Sequence, residues 1–89
     1  GFNVLLTHIG GYPGKYSKNI ITRLRSENIN LFISGHSHIL KVMNDKVLNL
    51  LHINPGAAGI YGFHKVRTMI RFTLDEGKIS DFEIMELDR

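Results

Sequence analysis

The sequence contains no cysteine. That excludes disulfides and thiolate metal sites, so any metal ion held by this chain takes imidazole nitrogen and oxygen ligands. No apolar tract is long enough to cross a bilayer, and no charged-then-apolar segment marks a secretory signal at the front. A cytoplasmic protein with no membrane partner is expected. Net charge is small as well: eleven basic residues against eight acidic ones leave +3, and the basic ones are scattered. Nucleic-acid binding is therefore not expected. No repeat and no low-complexity segment is present. At 89 residues the chain holds one domain at most, with a small core. It opens on Gly1 and enters a strand-like run almost at once, which reads as the later part of something longer.

Val4 to Thr7 is a short apolar run without polar alternation, the pattern of a strand buried on both faces. Residues 9–16 carry Gly10, Gly11, Pro13 and Gly14 and predict a loop. Ser17 reads as the N-cap of a helix running to about Glu27, with Ile20, Ile21 and Leu24 at helical spacing and Lys18, Arg23 and Arg25 toward water. Asn28 and Asn30 end it. Leu31 to Ser34 is a second strand that runs straight into Gly35-His36-Ser37-His38. Ile39 to Met43 and Val47 to Ile53 flank Asn44-Asp45-Lys46 as a hairpin, and a tight loop from Asn54 to Gly59 follows. Val66 to Leu74 and Lys78 to Leu87 alternate around Asp75-Glu76-Gly77 as a second hairpin. The fold class is α/β (α+β). One helix cannot cover both faces of that much sheet, so cover from another sheet, further helices or a partner is expected.

The stretch from Leu5 to Ser17 has the local order of a phosphate-binding P-loop: an apolar run, glycines, then Gly14-Lys15 before a helix. The match fails on two counts. Ile9 stands where the first glycine is required, and Tyr16 follows Lys15 where a hydroxyl residue would hold magnesium.

The histidines are more informative. His8 follows the first strand, and His36 and His38 follow the second. Strands separated by one helix often lie parallel and adjacent, so their carboxyl ends emerge at one edge and the three imidazoles would converge there. The His36 and His38 pair can place two ring nitrogens on one side of an extended segment, or divide them between two ions about 3.5–4 Å apart.

Thr7-His8, Gly35-His36-Ser37-His38 and Ile53-Asn54-Pro55-Gly56 resemble, in that order and across essentially the whole chain, the C-terminal half of the calcineurin-like metallophosphoesterases. The likeness is to small phosphodiesterases of the YfcE type, which share their fold with a scaffold subunit of retromer. The resemblance implies half of a four-layer α/β/β/α sandwich with one main helix and about six strands, residues 1–89 forming a single partial domain. It also implies a binuclear centre of divalent transition-metal ions (manganese, zinc, iron or nickel) in which His8 and His36 ligate one ion and His38 the other. The activity implied for the intact protein is phosphodiesterase-type hydrolysis of a phosphoester. Asn54 and Gly56 match a loop near the site, and Lys15 is a further candidate for a phosphate contact. A non-catalytic scaffold or interaction module of the same fold is the alternative.

Ala57 stands where the family usually has serine, and Ile9 where it usually has glycine. The family's remaining ligands, an Asp-x-His, a bridging aspartate and a Gly-Asn asparagine, do not occur in residues 1–89. Three imidazoles without a bridging carboxylate do not offset the repulsion between two divalent cations. The chain alone is therefore expected to bind at most one ion, weakly, and not to catalyse. Its expected partners are the phosphoester substrate, the missing N-terminal half of the domain and, through unpartnered apolar strands, a second copy of itself. His64 and Arg67 are candidates for the rim of the site, and His52 reads as structural. Tyr12, Tyr16, Tyr61 and Phe63 cluster in the two loops and read as buried aromatic packing, with a partner or substrate surface as the alternative.

Overall fold

The computed structural model describes residues 2–88 and contains one helix and six strands in two sheets. The strands are β1 (Val4–Thr7), β2 (Leu31–Ser34), β3 (Leu40–Asp45), β4 (Leu50–Pro55), β5 (Arg67–Asp75) and β6 (Lys78–Leu87), and α1 (Lys18–Ser26) connects β1 to β2. β2 pairs in parallel with β1 on one side and β4 on the other, and β3 runs antiparallel beside β4. β5 and β6 form a separate antiparallel ribbon. The mixed class expected from the sequence is the one found.

The helix forms where its apolar spacing predicts. Ser17 takes the N-cap in extended conformation, and its carbonyl accepts the N–H groups of Ile20 and Ile21. The Glu27 N–H donates back to the Arg23 carbonyl and closes the last turn. Ile20 and Leu24 are buried and meet Phe32 and Leu50 in the core, with Leu5, Tyr16, Ile29 and Leu48 packed around them. Strand register places Leu5, Phe32 and His52 side by side on this face. Phe32 is fully buried, a contribution of about 1.5–3 kcal/mol from its side chain alone.

Two expectations need correction. β1 is an edge strand and is not buried on both faces: on the side away from α1, Val4 is 45% exposed and Leu6 72%. An unalternating apolar run shows that both sides of a strand are apolar, whereas the element that covers each side is set elsewhere in the chain. β2, flanked on both sides, is largely buried, so the unpartnered apolar surface expected there is confined to β1. The second correction concerns the first hairpin. Asp45 pairs with Leu50, so Val47 and Leu48 lie in the turn and not in a strand. The Asp45 carboxylate accepts the N–H groups of Val47 and Leu48 at 2.9 and 3.0 Å, a local substitute for ladder bonds that apolar patterning does not register. The second hairpin closes as predicted, with Glu76 and Gly77 both at positive φ in a two-residue turn.

Candidate metal centre

Because β1 and β2 are parallel neighbours, the residues that follow them leave the sheet at the same edge. The Gly35 N–H donates to the His8 carbonyl at 2.9 Å and ties the two exits together. Their side chains meet in turn: Nδ1 of His36 lies 3.2 Å from Nε2 of His8, and the rings stand edge to face with centroids 5.0 Å apart. Nitrogens at that separation fit two corners of one coordination shell with metal–nitrogen bonds of about 2.0–2.1 Å. Both rings are exposed, so an ion has an entry path.

The loop that carries His36 has an uncommon backbone. His36 and His38 both adopt left-handed conformation, with φ of 69° and 63°. Such positions are sparse for residues other than glycine, and each costs on the order of 1–3 kcal/mol unless its surroundings impose it. Asn54, at the end of β4 and 4% exposed, imposes it here. Its amide donates to the Gly35 carbonyl at 3.3 Å and to the Ser37 hydroxyl at 3.0 Å, while its Oδ1 accepts the Gly56 N–H at 3.0 Å. With Ser37 fixed between them, the two histidines part: His36 meets His8, and His38 stands edge to face with His64, centroids 5.0 Å apart. Among the described residues no three His, Cys, Asp or Glu side chains are placed to share one ion. His8 and His36 thus form one imidazole pair and His38 and His64 another, because the left-handed turns at 36 and 38 separate neighbours that an extended segment would align.

Lys15 is exposed and lies outside the cavity beside His36. Asn54 and Gly56 face inward as fasteners. All of Asn54's polar atoms bond within the chain, and Gly56, at φ 77°, packs against the Thr68 hydroxyl, which donates to the Pro55 carbonyl at 2.7 Å. A cavity of about 290 Å³ beside His36 is lined by Tyr12, Ile39, Lys41, His52 and Asn54 among others, and the Lys41 ammonium sits 4.3 Å over the Tyr12 ring. Lys41 pairs with Asn54 across the β3–β4 hairpin, a register that none of the strand-end motifs encodes. Of the aromatics expected to be buried, Tyr61 and Phe63 are 86% and 105% exposed.

His52 forms the apolar floor beneath this site. It is fully buried and tilted against Phe32 at 5.2 Å, and neither ring nitrogen makes a hydrogen bond of ordinary geometry. Burial pushes its pKa below the usual histidine value; nearby Lys41 adds to this, while the Phe32 backbone and Asp45 pull the other way. Burial also tends to raise Asp45, but the Tyr16 hydroxyl at 2.6 Å and the N–H groups of Leu48 and Val47 outweigh it and hold the carboxyl below its ordinary range. The Tyr16 phenol is pushed up, by burial first and by Asp45 second. An unfolded histidine takes a proton near pH 6.5 and the folded His52 resists it, so below that pH the unfolded state binds more protons and stability falls. The Asp45 contribution persists to lower pH and is lost only as the carboxyl protonates. Thermal melts from pH 7 to pH 5 should show a declining midpoint, with a loss of at most about 1.4 kcal/mol per pH unit from His52, and His52→Phe should flatten the decline. An unchanged slope in that variant would contradict the assignment.

A sheet that delivers an imidazole pair from the carboxyl ends of two adjacent parallel strands places this chain among α/β (α+β) proteins whose chemistry sits on strand-end loops. Within that class the chain belongs to the calcineurin-like phosphoesterase superfamily: the model of the calcineurin-like phosphoesterase superfamily domain matches residues 1–77. Members of that superfamily are in general hydrolases of phosphoesters that bind divalent metal ions. No curated protein and no solved structure gave a significant match. No helix among the described residues is long and apolar enough to cross a membrane.

Proposed function

We propose that this chain is the histidine-bearing part of a metal-dependent phosphodiesterase of the YfcE type, acting on a phosphoester together with carboxylate ligands contributed from outside residues 1–89. The observation that carries the reading is the His8–His36 pair, whose nitrogens lie 3.2 Å apart at the edge where β1 and β2 end. His8 and His36 would hold one divalent transition metal, and His38, turned away from them, would serve a second. When bound, such ions supply Lewis acidity toward phosphate oxygens and a hydroxide near neutral pH. The chain's own residues do the positioning. Asn54 holds the His36 loop in its left-handed form, and Lys41, over the Tyr12 ring in the cavity that His36 also lines, adds a positive charge that favours an anionic ester over a neutral one.

The ligand count bears on what the chain does alone. Asp45 is committed to Tyr16, Val47 and Leu48, so no carboxylate is supplied from that strand to bridge two ions. In a titration with cobalt(II) or zinc, His8→Ala or His36→Ala should weaken uptake of the first ion by the full chain at least about tenfold while Lys15→Ala leaves it unchanged. Assayed alone with manganese and bis(p-nitrophenyl) phosphate, the chain should show no turnover above that of free metal. Uptake indifferent to His8 and His36 would overturn the metal reading. Turnover by the chain alone would show that residues 1–89 suffice.

A further inference from the structure

We infer that His64 is a fourth metal-directed imidazole, paired with His38 and taking a borderline transition-metal ion such as zinc, cobalt(II) or nickel(II). The inference rests on the metal-dependent reading above but names a residue that none of the strand-end motifs contains.

Three features of the geometry point to it. The first is the ring arrangement, which repeats that of the His8–His36 pair: the His38 and His64 centroids are 5.0 Å apart with an interplanar angle of 88°. The second is the tautomer. His64 Nε2 lies 2.7 Å from the Gly59 carbonyl, and since a carbonyl can only accept, Nε2 carries the hydrogen and Nδ1 the lone pair of the neutral ring. A ring whose far nitrogen donates to a backbone carbonyl is the usual orientation of a metal-bound histidine, because that bond fixes the tautomer and raises the basicity of the ligating nitrogen.

The third feature is Gly62. At φ 126° it lies against both rings, and a Cβ built on it would run into His38 Nδ1 and come within 3.1 Å of His64 Nδ1. The two Nδ1 atoms therefore border one small space that any other residue at position 62 would fill. Asn54 and the left-handed turn at His38 hold one wall of that space from the sheet, while the Gly59 carbonyl holds the other from the β4–β5 connection. Imidazole donors in a chain without cysteine suit zinc, cobalt or nickel better than magnesium or calcium.

Cobalt(II) and the full chain provide the test. The His8→Phe background removes the other pair, so uptake there reports the His38–His64 pair. Cobalt should still bind to His8→Phe and lose at least about tenfold in affinity when His64→Phe is added. Gly62→Ala in the same background should give a similar loss while thermal melts confirm a folded chain. His64→Cys supplies a signature independent of stability. It introduces the only thiol in the sequence, so a thiolate-to-cobalt charge-transfer band should appear on adding cobalt to His8→Phe/His64→Cys and be absent from His8→Phe/His64→Ser. No such band, or cobalt affinity unaltered by His64→Phe, would overturn the inference. If wild type binds cobalt through His8 and His36 but His64 variants are silent, only this inference falls; if wild type binds no cobalt, the metal-dependent reading falls with it.

Discussion

Phe32→Ala should cost about 3–5 kcal/mol and leave the chain without a cooperative thermal transition. Phe32 is completely buried, and it joins every layer of the main sheet's helix-side face. Its ring meets Ile20 and Leu24 of α1, stands edge to face with Tyr16 and tilts against His52. Gly10 packs so closely on the ring that a Cβ there would collide with it. Truncation would therefore open a cavity that four separate segments cannot all close over. A domain of this size has only about 5–15 kcal/mol of stability in total, so the loss takes a large share of it. Circular dichroism melts of wild type and variant decide the matter; a sharp transition within a few degrees of wild type would show that the core sits elsewhere.

The second large effect is expected from Asn54→Ala. The substitution removes the partners of the Gly35 carbonyl, the Ser37 hydroxyl and the Gly56 N–H together. Leaving buried polar groups unpaired costs about 1–3 kcal/mol each, and solvent entry at the sheet edge will recover part of that, so a net destabilisation of about 2–4 kcal/mol is expected. The functional loss should exceed the structural one. Without Asn54 nothing from β4 holds Ser37, the left-handed turns at 36 and 38 relax, and His36 leaves His8. Cobalt affinity should fall about 10–100-fold, the range for residues that orient a ligand without touching the ion. Asn54→Asp separates the two roles, since a carboxylate still accepts from Gly56 but cannot donate to Gly35. It should retain most of the stability and lose most of the affinity. Equal cobalt affinity in all three proteins would show that the loop holds its shape without Asn54.

Much of this was legible from the residues. The apolar run at positions 4–7, the stripe of Ile20 and Leu24, and the alternation on either side of Glu76-Gly77 report local preferences, and local preferences decided those elements. Histidine at two strand ends was legible for the same reason, since a parallel crossover fixes which ends come together. What escaped was long-range or conformational. No spacing in the sequence says that His38 will meet a residue 26 positions away, nor that β1 will lie at an edge with Leu6 72% exposed. Lys41 over Tyr12 needed the β3–β4 register, and the turn at Val47 needed the Asp45 carboxylate. Lys15 is exposed on the loop before α1, and the place of a flexible side chain in a motif does not direct where it points.

The two left-handed histidines have a consequence for variation in this loop. Glycine aside, the side chains that tolerate φ near +65° most readily are asparagine, aspartate and histidine. All three are oxygen or nitrogen donors. The backbone at positions 36 and 38 thus acts as a filter on drift: most residues that fold acceptably there can still coordinate a cation, while valine or isoleucine fails through strain before its missing donor matters. A saturation library at either position, sorted for folding alone and without any metal present, should come back enriched in metal-ligand chemistry.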